Sequence, residues 1–171
     1  GELKRNVDGI ARSFATVSSA SLTVLVVERI VLIGFMASGK TEVGRRLAER
    51  LGWRHVDLDH EIEARTGRTI AELFETGGEG AFRALEVRLT PEITRLRQVV
   101  ISTGGGWVTN PGLLSGLPPG SFTVYLRVSP AEVRRRLEAD PGQATRPLLH
   151  GTDHDRRINE LMTTREPLYR Q

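Results

Sequence analysis

Residues 34–41 read GFMASGKT, in which Gly34, four spacers, Gly39, Lys40 and Thr41 directly follow the apolar run IVLI at 30–33. A buried strand that empties into a glycine-bounded turn and then a helix start is the setting in which this spacing holds phosphate. The glycines let backbone N–H groups approach phosphate oxygens, and the helix N-terminus adds its positive pole. Lys40 is spaced to reach the outer phosphates, and the Thr41 hydroxyl suits Mg²⁺. Gly34, Ala37, Ser38, Gly39, Lys40, Thr41 and Glu42 are therefore candidate nucleotide-binding residues, with Thr41 also a metal candidate. Ala37 stands where many such loops carry glycine, so a methyl group meets a position of restricted backbone freedom. Glu42 suits the start of a helix, yet would repel phosphates if it turned inward.

The chain has 171 residues, 39% hydrophobic and 26% charged, which fits one globular domain with a substantial core. Its 24 basic and 21 acidic side chains leave a formal charge of +3, and the arginines fall inside candidate site motifs rather than in one tract. Nucleic acid is therefore not expected as a partner. There is no cysteine, hence no disulfide framework, thiolate zinc site or cysteine nucleophile, and a reducing cytoplasmic setting is permitted. The apolar runs at 22–27 and 30–33 are interrupted by Glu28 and Arg29. Both fall short of the roughly 18 residues that span a bilayer, so no membrane association is expected.

From Arg29 onward strand and helix signals alternate. Strands are expected at 29–33, 55–57, 98–102 and 122–128, and a helix at 40–51 with Val43, Leu47, Ala48 and Leu51 on one face and Gly52 after it. Thr69 and Glu72 make a capping box. Asn110 with Pro111, and Ser129 with Pro130, read as helix starts. The expected class is α/β, a three-layer parallel sheet flanked by helices. Residues 140–155 carry Pro141, Gly142, Pro147 and Gly151 and read as a lid within a single domain at 28–171. Residues 1–27 fit this pattern poorly and are an extension of unclear role.

Three further features carry chemistry. Asp57 and Asp59 alternate at a strand end, so both carboxylates point to one side if extension persists through Leu58. In phosphoryl transfer one such carboxylate can hold Mg²⁺ through water while the other accepts the attacking hydroxyl's proton; taken alone, such a pair is more often a helix cap at a strand exit. Gly104, Gly105 and Gly106 follow a strand and can expose backbone to a small polar substrate. Arg83, Arg136, Arg146 and Arg165 recur in distinct motifs, where a guanidinium can grip a carboxylate or neutralise phosphate.

The blocks GFMASGKT, VDLDHEIE, ETGGEGAFRALE, STGGG, RPLL and REPLYR, in this order and at these separations, resemble the shikimate kinase family from Arg29 to about Arg170. The resemblance implies a P-loop kinase of the nucleoside monophosphate kinase class. It implies transfer of the terminal phosphoryl of ATP to the 3-hydroxyl of shikimate, with Mg²⁺, in aromatic amino acid biosynthesis. By motif, Asp57 corresponds to a magnesium-associated aspartate and Asp59 to the one that contacts substrate hydroxyls and acts as base. Arg83, Arg165, Gly105 and Gly106 correspond to substrate-binding positions, Arg146 to a lid arginine over the phosphates and Arg136 to a residue lying against adenine. Lys40, Asp59 and Arg146 are the catalytic candidates.

Members of the family usually continue past the PLY motif with a strand and a helix, whereas this sequence stops at Gln171. The expectation is a shortened monomer with an exposed sheet edge, open to self-association or to cover by 22–27. Two other functions share much of the chemistry. Gluconate kinase also acts on a hydroxylated acid, and a catalytically degenerate protein could hold nucleotide or shikimate without turnover.

Overall fold

Ahead of the glycine loop, strand β1 (Arg29–Ile33) is buried along its whole length, as a parallel strand covered on both faces must be. Its side chains alternate between two cores. Ile30 and Leu32 join Val43, Leu47 and Ala48 on one side, while Val31 and Ile33 join Phe35, Val56, Ile62, Phe82 and Trp107 on the other. The computed structural model describes residues 26–139 and 153–171. The expected segment at 22–25, most of the expected lid and Arg146 lie outside the described residues.

Four parallel strands run in the order β2-β3-β1-β4, with β2 at Arg54–Asp57, β3 at Val99–Ser102 and β4 at Ser121–Tyr125. The register sets Leu32 opposite Ser102 and Ser102 opposite Asp57, so three strands end level. At the other end the buried Arg29 guanidinium donates to the Leu96 carbonyl at 3.2 Å and the Pro119 carbonyl at 2.7 Å, tying down the turns that lead into β3 and β4.

Helix α1 (Lys40–Leu51) covers one face and ends at Gly52, whose left-handed backbone donates back to Ala48 and Glu49. On the other face lie α2 (Leu58–Thr66) and α3 (Ile70–Ile93), the latter started by the reciprocal Thr69–Glu72 capping box. Gly78 interrupts α3 with φ 69 and ψ −178, a conformation open essentially to glycine alone. Helix α4 (Pro130–Ala139) starts where Ser129 Oγ accepts from the Glu132 N–H at 3.2 Å. Helix α5 (His154–Tyr169) closes the described chain.

Three expectations need correction. No α-helix starts at Asn110; a single 3-10 turn spans Trp107–Thr109, and the Asn110 side chain donates to Glu86 and to the Trp107 carbonyl instead of capping a helix. β4 stops at Tyr125, not at 128, after which only Leu126 N–H reaches the Ile33 carbonyl. Residues 154 and 155 are the first turn of α5, capped by Asp153, and are not part of a lid. Glu28 prolongs the line of β1, its N–H bonded to Gly120 and its carbonyl to Gln98. Phe122 of β4 is exposed.

Candidate active site

Ligands of open parallel sheets bind beyond the carboxyl ends of the strands, where the strand order reverses. Here that point lies beyond β1 and β3, and a cleft of about 530 Å³ opens there, lined by Ala37, Gly39, Lys40, Thr41, Asp57, Asp59, Gly105 and Arg136 among others. The glycine loop forms its floor. Lys40 Nζ donates to the Gly34 and Phe35 carbonyls, each at 2.8 Å, and to Ser38 Oγ at 3.3 Å, holding the loop closed on itself. No side chain caps the first turn of α1, which leaves its N–H groups for an anion. Glu42 lines the cleft as well, paired with Arg45 and Arg46, whose guanidiniums lower its pKa.

Ala37 does adopt a left-handed backbone, with φ 56. Arg136 of α4 donates to its carbonyl at 2.9 Å while Glu132 holds the same guanidinium at 2.6 Å. The left-handed state costs an alanine about 1–2 kcal/mol, more than the roughly 0.5–1 kcal/mol of extra chain entropy a glycine carries. Ala37→Gly is therefore expected to raise the melting temperature by about 2–4 °C, read by thermal unfolding.

The two aspartates reach the cleft by a route other than strand alternation. Leu58 is already helical, so Asp57 closes β2 and caps α2, its carboxylate accepting from the Asp59 N–H at 3.1 Å and the His60 N–H at 3.4 Å. The other Asp57 oxygen accepts from Thr41 Oγ1 at 2.6 Å. Asp57 is thus both a cap and a cleft residue, and Asp59 arrives on the first helical turn.

Asp59 Oδ1 is buried and has no hydrogen-bond partner among the described residues; the same holds for Glu86 Oε1. Both oxygens lie within 3 Å of the point a Cβ on Gly104 would occupy, at 2.9 and 2.8 Å. A side chain there would fill the space between the two carboxyl groups. Burial above all, then the charges of Asp57 and Glu86, push the Asp59 pKa up to about 6, against the pull of Lys40 and Arg83.

Glu86 was not legible as a site residue. Fully buried in α3, it accepts from Arg83 Nη1 at 2.7 Å and from Asn110 Nδ2 at 2.8 Å. In sequence it is a glutamate three residues after an arginine, the pattern of an ordinary helix-surface pair. Its only signal was its place at the end of AFRALE.

Arg83 lies against the glycine triplet so closely that a Cβ on Gly106 would collide with its guanidinium. Arg165 of α5 is buried, donates weakly to the Gly105 carbonyl at 3.4 Å, and shares that carbonyl with the Tyr169 hydroxyl. Burial, joined by the Arg83 charge, lowers its pKa. The described structure therefore gathers the loop, both aspartates, the glycine triplet, Arg83, Arg136 and Arg165 at one end of the sheet.

A phosphate cradle, a carboxylate poised beside it and a pair of guanidiniums beyond define a P-loop phosphotransferase for a small anionic acceptor. A family model for shikimate kinase matches residues 36–171. A shikimate kinase of Mycobacterium avium is 44% identical over 143 residues, 84% of this chain and 79% of its own. The structure of shikimate kinase from Acinetobacter baumannii in complex with shikimate superposes with a TM-score of 0.76 at 38% identity, covering 85% of this chain and 80% of that one. A gluconokinase from Sinorhizobium meliloti, at 17% identity, TM-score 0.51 and coverages of 81% and 75%, shares the fold alone. The chain belongs to the shikimate kinase family.

Proposed function

We propose that this protein transfers the terminal phosphoryl group of ATP to the 3-hydroxyl of shikimate. The observation that carries the reading is Asp59, whose buried oxygen has no hydrogen-bond partner among the described residues and whose carboxylate feels the charges of both Lys40 and Arg83. Arg83 and Arg165 grip the substrate's carboxylate, Gly105 and Gly106 offer backbone to the ring, and Asp59 takes the acceptor hydroxyl's proton. The acceptor's 3-hydroxyl oxygen then bonds to the γ-phosphorus as the bond to the β–γ bridging oxygen breaks and ADP leaves. Lys40 and the first-turn N–H groups of α1 hold the phosphates in line, and Arg136 meets the base at the rim. A phosphate role for Arg146 rests on the family resemblance alone.

Thr41 and Asp57 suit Mg²⁺. Both offer hard oxygen donors 2.6 Å apart, and among the described residues no group of three or more acidic or histidine side chains is placed to hold a metal ion by itself. That is the expected protein contribution for an ion completed by phosphate oxygens and water. When bound, Mg²⁺ supplies neutralisation of phosphate charge.

We assign the kinase unit to residues 28–171, acting as a monomer in the cytoplasm in aromatic amino acid biosynthesis. Among the described residues no helix is long and apolar enough to cross a membrane. Coupled ADP release is the test, run with shikimate or gluconate, with and without Mg²⁺. Release that needs both shikimate and Mg²⁺ is the expected result. Release driven by gluconate alone, or shikimate binding by calorimetry without any ADP, would replace the proposal with a gluconate kinase or a non-catalytic binding protein.

A further inference from the structure

Glu79 has no part in the chemistry described so far. It follows the Gly78 kink directly, and its carboxylate lies across the two guanidiniums that would take the substrate's acid. Oε1 accepts from Nε and Nη2 of Arg83 at 3.2 and 2.8 Å and lies 3.9 Å from Nη2 of Arg165. One oxygen is thus hydrogen-bonded to Arg83 and within ion-pair range of Arg165. Glu79 is the one carboxylate within ion-pair distance of Arg165 among the described residues.

The two glutamates around Arg83 differ in what they can do. Glu86 is fully buried and also bonded to Asn110, so it stays. The Glu79 side chain is 43% exposed, and the glycine-only backbone of Gly78 is a natural point of rotation. In the free protein Glu79 and Glu86 balance Arg83 and Arg165. An incoming carboxylate would add a third negative charge to the same pair, with Asp59 close by, and like charges confined together disfavour one another.

We infer that Glu79 is an internal stand-in for the substrate's carboxylate, occupying the Arg83–Arg165 pair until shikimate displaces it. This rests on the assignment of that pair to the substrate's acid under Proposed function. Glu79 then makes recognition competitive. A ligand carrying an acid repays the ion pairs that it breaks, whereas a neutral ester or amide of the same ring does not, so the gate favours the free acid.

The test is calorimetric titration of nucleotide-free wild type, Glu79→Gln and Glu79→Asp with shikimate and with cyclohexanecarboxylate, which has the acid but no hydroxyls. A neutral amide, or a carboxylate too short to span both guanidiniums, competes less. Both variants should bind shikimate about threefold more tightly, the scale of a partly exposed ion pair, with KM falling in parallel. A residue that merely supported Arg83 would give weaker binding when replaced. If shikimate gives no heat with any protein but cyclohexanecarboxylate binds the variants more tightly, the gate stands and the shikimate assignment falls. Equal or weaker binding of whichever ligand binds, or no binding of either ligand, overturns the gate.

Discussion

Asp59→Asn is expected to lower kcat by about 10²- to 10⁴-fold, the range lost with a general base, while raising the melting temperature at pH 7. The second effect comes from the carboxylate's surroundings. Burial holds its folded pKa near 6, above the ordinary 3.8. The folded state therefore keeps a proton that the unfolded chain has released, and stability falls as pH rises from about 4 to about 6. Above that window the full cost persists, about 3 kcal/mol at most at 1.36 kcal/mol per unit. An asparagine amide removes the charge and can donate to Glu86 Oε1, which has no partner among the described residues. The melting temperatures of the two proteins should differ by several degrees at pH 7–8 and converge below about pH 4. In the wild type, activity should decline as pH drops through about 6. A variant that keeps kcat within tenfold of wild type would remove Asp59 from the mechanism.

The two arginines proposed to hold the substrate's carboxylate should fail in different ways. Arg83→Met strips the cation from Glu86, whose side chain is fully buried; a buried charge left without its partner costs about 3–5 kcal/mol. That is a large part of a typical stability of about 5–15 kcal/mol, so the melting temperature should fall by on the order of 10 °C, and turnover should be lost with it. Arg165 supports no buried carboxylate, only the exposed side of Glu79. Arg165→Met should therefore melt within a few degrees of wild type while shikimate KM rises about 30-fold or more, the cost of truncating one partner of a buried charge pair. Adding Glu86→Gln to Arg83→Met should restore much of the melting temperature without restoring binding. Equal losses of stability in the two single variants would contradict the dependence of Glu86 on Arg83.

What could be read from the sequence was what is local. The loop, the strand before it, the helix ended by Gly52 and the Thr69–Glu72 box each depend on residues within a few positions of one another, and each is found. For Asp57 and Asp59 the cap reading held and the strand alternation did not: aspartate is a strong N-cap, and Leu58 begins a helix that strand alternation ignores. Asn110 had an equally good cap signal, but a buried glutamate 24 residues away claims its side chain. Glu86 and Glu79 were hidden for the same reason. Their roles are set by what α5, the glycine triplet and the 3-10 turn bring against α3, and no spacing within α3 announces that.

The level ends of β1, β3 and β2 have a wider implication. Leu32, Ser102 and Asp57 form one rung of the backbone ladder, so the distance from the glycine loop to the Asp57 carboxylate is measured off by main-chain bonds rather than by the loops. A one-residue slip would turn Asp57 to the opposite face. Arg29, at the far end of the same strands, acts as the datum from which those rungs are counted, because it anchors the turns that feed both neighbours. Damage at that blunt end, remote from any ligand, would surface as a misaligned catalytic centre, while loops facing the cleft can diversify without disturbing its calibration.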